Sequence, residues 1–271
     1  MKHEFKSDFI ISEDRKIHYY YHQNHSKDSI IFLHGAMDNG LCFSPIARKF
    51  TEDYYVIMPD LRGHGLTETQ DKEFSYELMT KDIHILKEKL DLNGSILIGH
   101  SMGAYIGLYY AYQYPSEIKG LILEDPGFQL MNSSKIKKKI IRFFMRILMP
   151  FFLRGSYKSL LKRGGKKNPK WSDDELKPWA HSKVQFKEKN PKDLLGLFED
   201  SYNWKEIIMK ISCPILLITS SDGFTKDAIA KEMMKLNGKL QWVKIEGAGH
   251  NIRREQYDDY INSIQSFLNI L

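Results

Sequence analysis

Five short apolar runs, each bounded by Gly, Pro, Asp or Ser, recur along the chain: SIIFLHG at 29–35, YYVIMPD at 54–60, SILIGHS at 95–101, GLILEDP at 120–126 and PILLITS at 214–220. None alternates apolar with polar. Strands buried on both faces of a parallel sheet read in this continuous way. Stretches of helical length, 76–90 and 102–113, separate some of the runs. Strand alternating with helix implies right-handed crossovers and a doubly wound α/β sheet. Ahead of the first run, FIISEDRKIHYYYH at 9–22 predicts a hairpin on the antiparallel edge. The alternation stops between about residues 127 and 205, where Lys-rich helical sequence replaces it, and resumes at Pro214. This predicts a core of residues 1–126 and 206–271 with a helical cap, 127–205, inserted on one side of the sheet. Within the cap, RGGKKNP at 163–169 reads as a flexible loop.

Composition narrows the picture. A chain of 271 residues with 42% hydrophobic content is near the upper size for one core, so one main domain with an insert is expected. There are two cysteines, Cys42 and Cys213, and the first sixteen residues are charged every few positions. No signal-peptide pattern is present, and the expected location is the reducing cytoplasm. No run of eighteen apolar residues occurs, so no membrane-crossing helix is expected. Oligomeric state leaves no signal.

The net charge of +6 conceals an asymmetry, because Pro126 to Ser172 holds 13 Lys or Arg and no Asp or Glu. The remainder is therefore net acidic, 6 minus 13 being −7. A nucleic-acid binder carries its basic face on the folded core, so nucleic acid is not an expected partner. Within the basic segment, Ile136, Ile140, Phe143, Phe144 and Ile147 share one face of a helix running from Lys135 to Met149. Lys135, Lys138, Lys139, Arg142 and Arg146 take the opposite face, Lys137 is out of place, and Pro150 should end or kink the helix. Two readings follow. The apolar face covers a substrate pocket, or the helix makes peripheral contact with an anionic membrane.

Candidate chemistry centres on Gly99-His100-Ser101-Met102-Gly103, a GxSxG pentapeptide between an apolar strand and a helical segment. The letters alone arise by chance in roughly one chain of this length in ten. The strand-turn-helix setting is the stronger signal: a sharp turn strains the Ser backbone, and the glycines let neighbouring strand and helix approach. A hydroxyl needs a base to take its proton, and His250, in EGAGHN just past the run LQWVKIE, occupies the late position such a base takes. His34, His64 and His100, also at strand ends, read as turn framework. The acid is expected at Asp222, which follows PILLITSS and has only Gly223 to crowd it; Asp125, after GLILE, is the alternative, with Asp227 and Glu124 behind them. Either of the first two could orient the imidazole and stabilise the imidazolium. Backbone N–H groups of Met102 and of Ala36, in the loop after SIIFL, are the expected oxyanion donors.

Over nearly its whole length the chain resembles the α/β-hydrolase superfamily. The motifs that carry the resemblance are HGAMDNG at 34–40, PDLRGHGLT at 59–67, GHSMG at 99–103, LEDP at 123–126 and GAGHNIRRE at 247–255. They look most like the bacterial esterase, lactonase and carbon-carbon hydrolase branches. The resemblance implies an eight-stranded sheet, a helical cap and the Ser-His-Asp roles assigned above, with Asp60 and Arg62 as a structural ion pair. Two departures stand out: the acid loop ITSSDGFTKD is about one residue shorter than usual, and Ala104 stands where a further Gly is common. Relatives that displace halide or open epoxides carry Asp at the position of Ser101, so the expected reaction is acyl transfer on a small-molecule carboxylic ester or lactone. Alternatives are hydrolysis of a carbon-carbon bond in a diketone-like substrate and a slow-turnover ligand receptor. No HExxH, paired CxxC or GxGxxG occurs, so neither metal nor cofactor is expected.

Overall fold

In the computed structural model, which describes residues 5–12, 15–23, 28–69, 74–128, 135–189 and 203–271, strand β3 (Ser29–Leu33) is buried along its whole length. It lies between β4 (Tyr55–Pro59) and β6 (Ser95–His100), parallel to both. Its alternate residues serve two layers. Ile31 and Leu33 join an apolar cluster with Leu97, Tyr105 and Leu121, whereas Ile30 and Phe32 join another with Ile96, Ile98 and Tyr260. Both faces are covered, which is the physical reason residues 30–33 are all apolar.

The remaining strands are β1 (Lys6–Ser12), β2 (Arg15–His22), β5 (Glu68–Thr69), β7 (Ile118–Glu124), β8 (Ile215–Ser220) and β9 (Leu240–Ile245). The main sheet has the order β1-β2-β4-β3-β6-β7-β8-β9, with the two-residue β5 added to β2. The expected hairpin is present: β1 pairs antiparallel with β2, and β2 antiparallel with β4 and β5, while every pairing from β4 to β9 along the main order is parallel. The eight-stranded, mostly parallel α/β sheet is as the sequence predicts.

Short helix α1 (Ser44–Ala47) precedes β4; α2 (Tyr76–Lys89) and α3 (Met102–Gln113) fill the two predicted helical stretches. Ser75 caps α2 by accepting the Leu78 N–H. Helix α3 is buried from Met102 to Ala111. Gly107 lets it settle on the sheet, since a Cβ there would stand 3.1 Å from Leu121 Cδ1.

Between β7 and β8 the described residues form only helices: α4 (Lys135–Phe152), α5 (Tyr157–Lys167), α6 (Asp173–Glu188) and α7 (Trp204–Lys210). Parts of the expected cap, 129–134 and 190–202, lie outside the described residues. Two local expectations change. RGGKKNP is not a loop through 163–167 but the last turns of α5, because Gly164 presses against the Trp179 ring, 2.5 Å from a hypothetical Cβ. Pro150 does not end α4, which continues to Phe152. After β8 come α8 (Asp227–Leu236), α9 (Ile252–Glu255) and α10 (Tyr257–Leu268).

Candidate active site

Ser101 stands between the end of β6 and the first turn of α3 with φ 53° and ψ −112°. An L-residue held outside the favoured backbone regions costs about 1–3 kcal/mol, and the surroundings impose it here. A Cβ on Gly103 would lie 2.0 Å from the Leu33 carbonyl oxygen, and one on Gly99 2.4 Å from the Gly103 oxygen. Both flanking glycines are thus required by backbone packed against backbone. The Ser101 N–H donates to the Glu124 carbonyl at 2.9 Å, so the β6–β7 ladder runs one step past the strands. The side chain is half-buried.

His250 lies in the loop after β9, and that loop is tied to the elbow and to β8. The His100 Nε2–H donates to the His250 carbonyl at 3.0 Å, and Ser220 Oγ donates to the Gly249 carbonyl at 2.6 Å. Phe224 stacks on the imidazole at 4.0 Å between ring centroids. His250 Nδ1 is 2.6 Å from Asp125 Oδ2.

His250 therefore meets Asp125, the alternative candidate, and not Asp222, the expected one. Asp222 is exposed, and its backbone N–H bonds the Ala248 carbonyl. Its loop delivers N–H groups instead of a carboxylate: Phe224 and Thr225 donate to the two Asp125 oxygens at 2.8 and 2.7 Å. Gly223 is small for Asp125, not for Asp222, because a Cβ there would lie 2.8 and 2.9 Å from the two Asp125 oxygens. Asp125 itself turns at φ 43° directly after β7. Burial pushes its carboxyl up, yet the His250 contact and the two N–H donors outweigh burial and hold it below the usual carboxylate value. The other two candidates are occupied elsewhere, Asp227 with Lys244 at 3.2 Å and Glu124 with Arg253 at 3.1 Å.

The loop carrying Ala36 is held by two histidines. His34 Nε2 accepts the Leu61 N–H at 3.0 Å, so its Nδ1 carries the proton and donates to the Gly35 carbonyl at 2.8 Å. In the same manner His64 Nε2 accepts the Met37 N–H at 3.1 Å and Nδ1 donates to the Arg62 carbonyl at 2.9 Å. Complete burial keeps both rings neutral, with His34 lowered and His64 pushed down to about 3. Burial, with Arg253 and His250 beside it, also holds His100 well below its usual value. Gly35 brings the loop against the elbow, since a Cβ there would lie 2.7 Å from His100 Nδ1 and 3.5 Å from Ser101 Cβ. Met102, as the first residue of α3, has an N–H without an intrahelical partner. Among the described residues the Ala36 N–H enters none of the turn and loop backbone bonds.

A buried ionic network joins this loop to α6, and most of it was not anticipated. Asp38 receives Lys183 Nζ at 2.6 Å and an Arg254 nitrogen at 2.8 Å; Arg254 also reaches Glu175 at 3.1 Å. Lys183 donates to the Met37 carbonyl at 2.9 Å as well. Burial raises the Asp38 carboxyl, but Arg254, Lys183 and Arg253 together draw it well below its usual value. Asp38 and Arg254 lie inside the HGAMDNG and GAGHNIRRE motifs, whereas Lys183 has no local sequence signal. Asp60 and Arg62 are structural as expected, but with other partners. Asp60 holds His18 Nδ1 and the Gly40 N–H, both at 2.8 Å, and Arg62 grips Asp82 with two bonds of 2.9 and 3.0 Å. Among the described residues no three His, Cys, Asp or Glu side chains cluster as metal ligands.

The sequence profile of the α/β hydrolase fold family matches residues 28–253. The chain belongs to that family. A putative esterase/lipase of Haemophilus influenzae is 25% identical over 246 residues, 89% of this α/β-hydrolase and 83% of that protein. An uncharacterised protein of Mycobacterium tuberculosis is 30% identical over 102 residues, 38% of this chain, so the chain spans about a third of that relative's length, 30%. Among solved structures, that of E-2-(acetamidomethylene)succinate hydrolase superposes with a TM-score of 0.80 at 16% identity, covering 98% of this chain and 100% of the other. At that identity the likeness is one of fold.

Proposed function

We propose that this α/β-hydrolase cleaves a carboxylic ester or lactone through Ser101, His250 and Asp125. The observation that carries the reading is the 2.6 Å bond between His250 Nδ1 and Asp125, on an imidazole anchored beside the strained Ser101 turn. With Nδ1–H given to Asp125, Nε2 is the free base. It takes the Ser101 hydroxyl proton as Oγ attacks the acyl carbon, and Asp125 stabilises the imidazolium. The Ala36 and Met102 N–H groups receive the oxyanion. The tetrahedral intermediate then expels the alkoxide, which leaves with the proton from His250. Water, deprotonated by the same imidazole, releases the acid and restores Ser101.

The esterase/lipase relative supports this class of substrate. A carbon-carbon hydrolase needs a cation free to meet a substrate carboxylate. Lys183, Arg253 and Arg254, the buried cations around Asp38, are each already matched with Asp38, Glu124 or Glu175, so none of these three is free for that role.

The test is fluorophosphonate labelling followed by p-nitrophenyl esters of increasing chain length. Labelling abolished by Ser101→Ala, with repeated turnover of at least one ester, is the expected result. Labelling that persists in the variant rejects Ser101, and release of a single equivalent of product points to a receptor instead.

A further inference from the structure

Helix α4 presents its apolar face outward. Ile136, Ile140, Phe143, Phe144, Ile147 and Phe151 are 45–75% exposed. At 100° per residue they span an arc of about 100°. Met149, 3% exposed, lies on the opposite side of the helix and packs into the core cluster. The orientation is thus the reverse of an ordinary amphipathic surface helix, whose apolar stripe faces inward. Isolated exposed apolar side chains are normal, but a contiguous row of this size marks an interaction surface.

Charge identifies the occupant. Across residues 126–172 there are 13 basic side chains and no acidic one. Lys139 and Arg146 are exposed on α4, as are Lys158, Lys162 and Lys166 on α5. Helix α5 is fastened to the end of α4, with Arg163 donating to the Phe152 and Arg154 carbonyls at 2.7 and 3.0 Å. A second copy would bring the same basic surface against itself, and like charges repel. An anionic lipid surface meets both requirements, offering acyl chains to the phenylalanines and phosphates to the lysines. Among the described residues no helix is long and apolar enough to cross a membrane.

We propose that α4 docks the protein on an anionic bilayer, lying in the plane of the interface with its Phe-rich face among the acyl chains. Each Lys or Arg near such a surface strengthens binding about fivefold, so the interaction is salt-sensitive.

Cosedimentation of the full chain with vesicles of phosphatidylcholine alone, or with ~30% phosphatidylglycerol, tests it at ~20 and ~500 mM salt. Partition onto the anionic vesicles should exceed that onto neutral ones by at least about tenfold at low salt and fall by a similar factor at high salt. Phe143→Ser combined with Phe151→Ser should reduce it about tenfold or more, with the melting temperature unchanged as the check on folding. No binding, equal binding to both lipids, or full binding by the double variant overturns the proposal. So does a dimer in sedimentation velocity that the double variant abolishes, since that makes a second copy the occupant.

Discussion

Asp125 Oδ2 and His250 Nδ1, 125 residues apart in sequence, are 2.6 Å apart in space, and the other Asp125 oxygen is held by the Thr225 N–H at 2.7 Å. The carboxylate that faces the imidazole therefore comes from the end of β7, while the loop after β8 contributes only backbone donors.

This arrangement separates two substitutions. Asp125→Asn should lower kcat about 10⁴-fold, because an amide favours the wrong imidazole tautomer. Asp222→Asn, at an exposed position, should leave kcat within about twofold of the parent, as surface changes usually do. Ester hydrolysis by the two purified variants decides; a severe loss at 222 with activity retained at 125 reverses the assignment.

Acid should weaken the fold in two stages. His34, His64 and His100 have folded values below 6.5, so the unfolded chain binds more protons as pH drops below that value. Stability then falls by up to about 1.4 kcal/mol per pH unit for each histidine, for His64 down to about pH 3. Asp125, held below its ordinary value, contributes stability above 3.8 that disappears as pH falls through its folded value. Urea unfolding at pH 7, 6 and 5 should show the decline, and His64→Gln should flatten it, since Gln does not titrate.

Gly103→Ala should be severely destabilising, by about 3 kcal/mol or more, because its Cβ would collide with the Leu33 and His34 carbonyl oxygens at 2.0 and 2.7 Å. Gly238→Ala, where a Cβ meets nothing within 4 Å, should be neutral or stabilising by about 0.5 kcal/mol. Paired thermal melts test the contrast.

Lys183→Met should separate positioning from folding. The variant loses the bonds to the Met37 carbonyl and to Asp38, while Asp38 keeps Arg254. A slightly displaced Ala36 loop should cost about 10- to 100-fold in kcat at nearly constant KM. Lys183→Arg, which can still reach Asp38, should recover part of the rate. Equal loss in both variants, accompanied by a lower melting temperature, would mean the network is purely structural.

Much of this protein could be read from its sequence because the relevant physics is local. A strand covered on both faces needs an unbroken apolar run, and a sharp strand-to-helix turn needs small flanking residues, so β3 and the Ser101 turn are visible to any reader of residues 29–35 and 99–103. The position of His250 after the last strand follows from the same order of elements. What tertiary structure alone decided depends on distance across the chain. Asp125 and Asp222 each follow a buried strand and look alike in sequence; which one meets His250 is set by the path of residues 222–225, whose N–H groups and Gly223 wrap around Asp125. The one-residue shortening of that loop hinted at the difference, but its meaning required both strand ends in place. Periodicity likewise revealed that α4 is two-faced, yet not which face turns inward, because that is fixed by where Met149 finds the core. Lys183 had no sequence signal at all, since a single lysine acquires its role only when α6 packs beside Asp38 and an ion pair forms that neither segment can make alone.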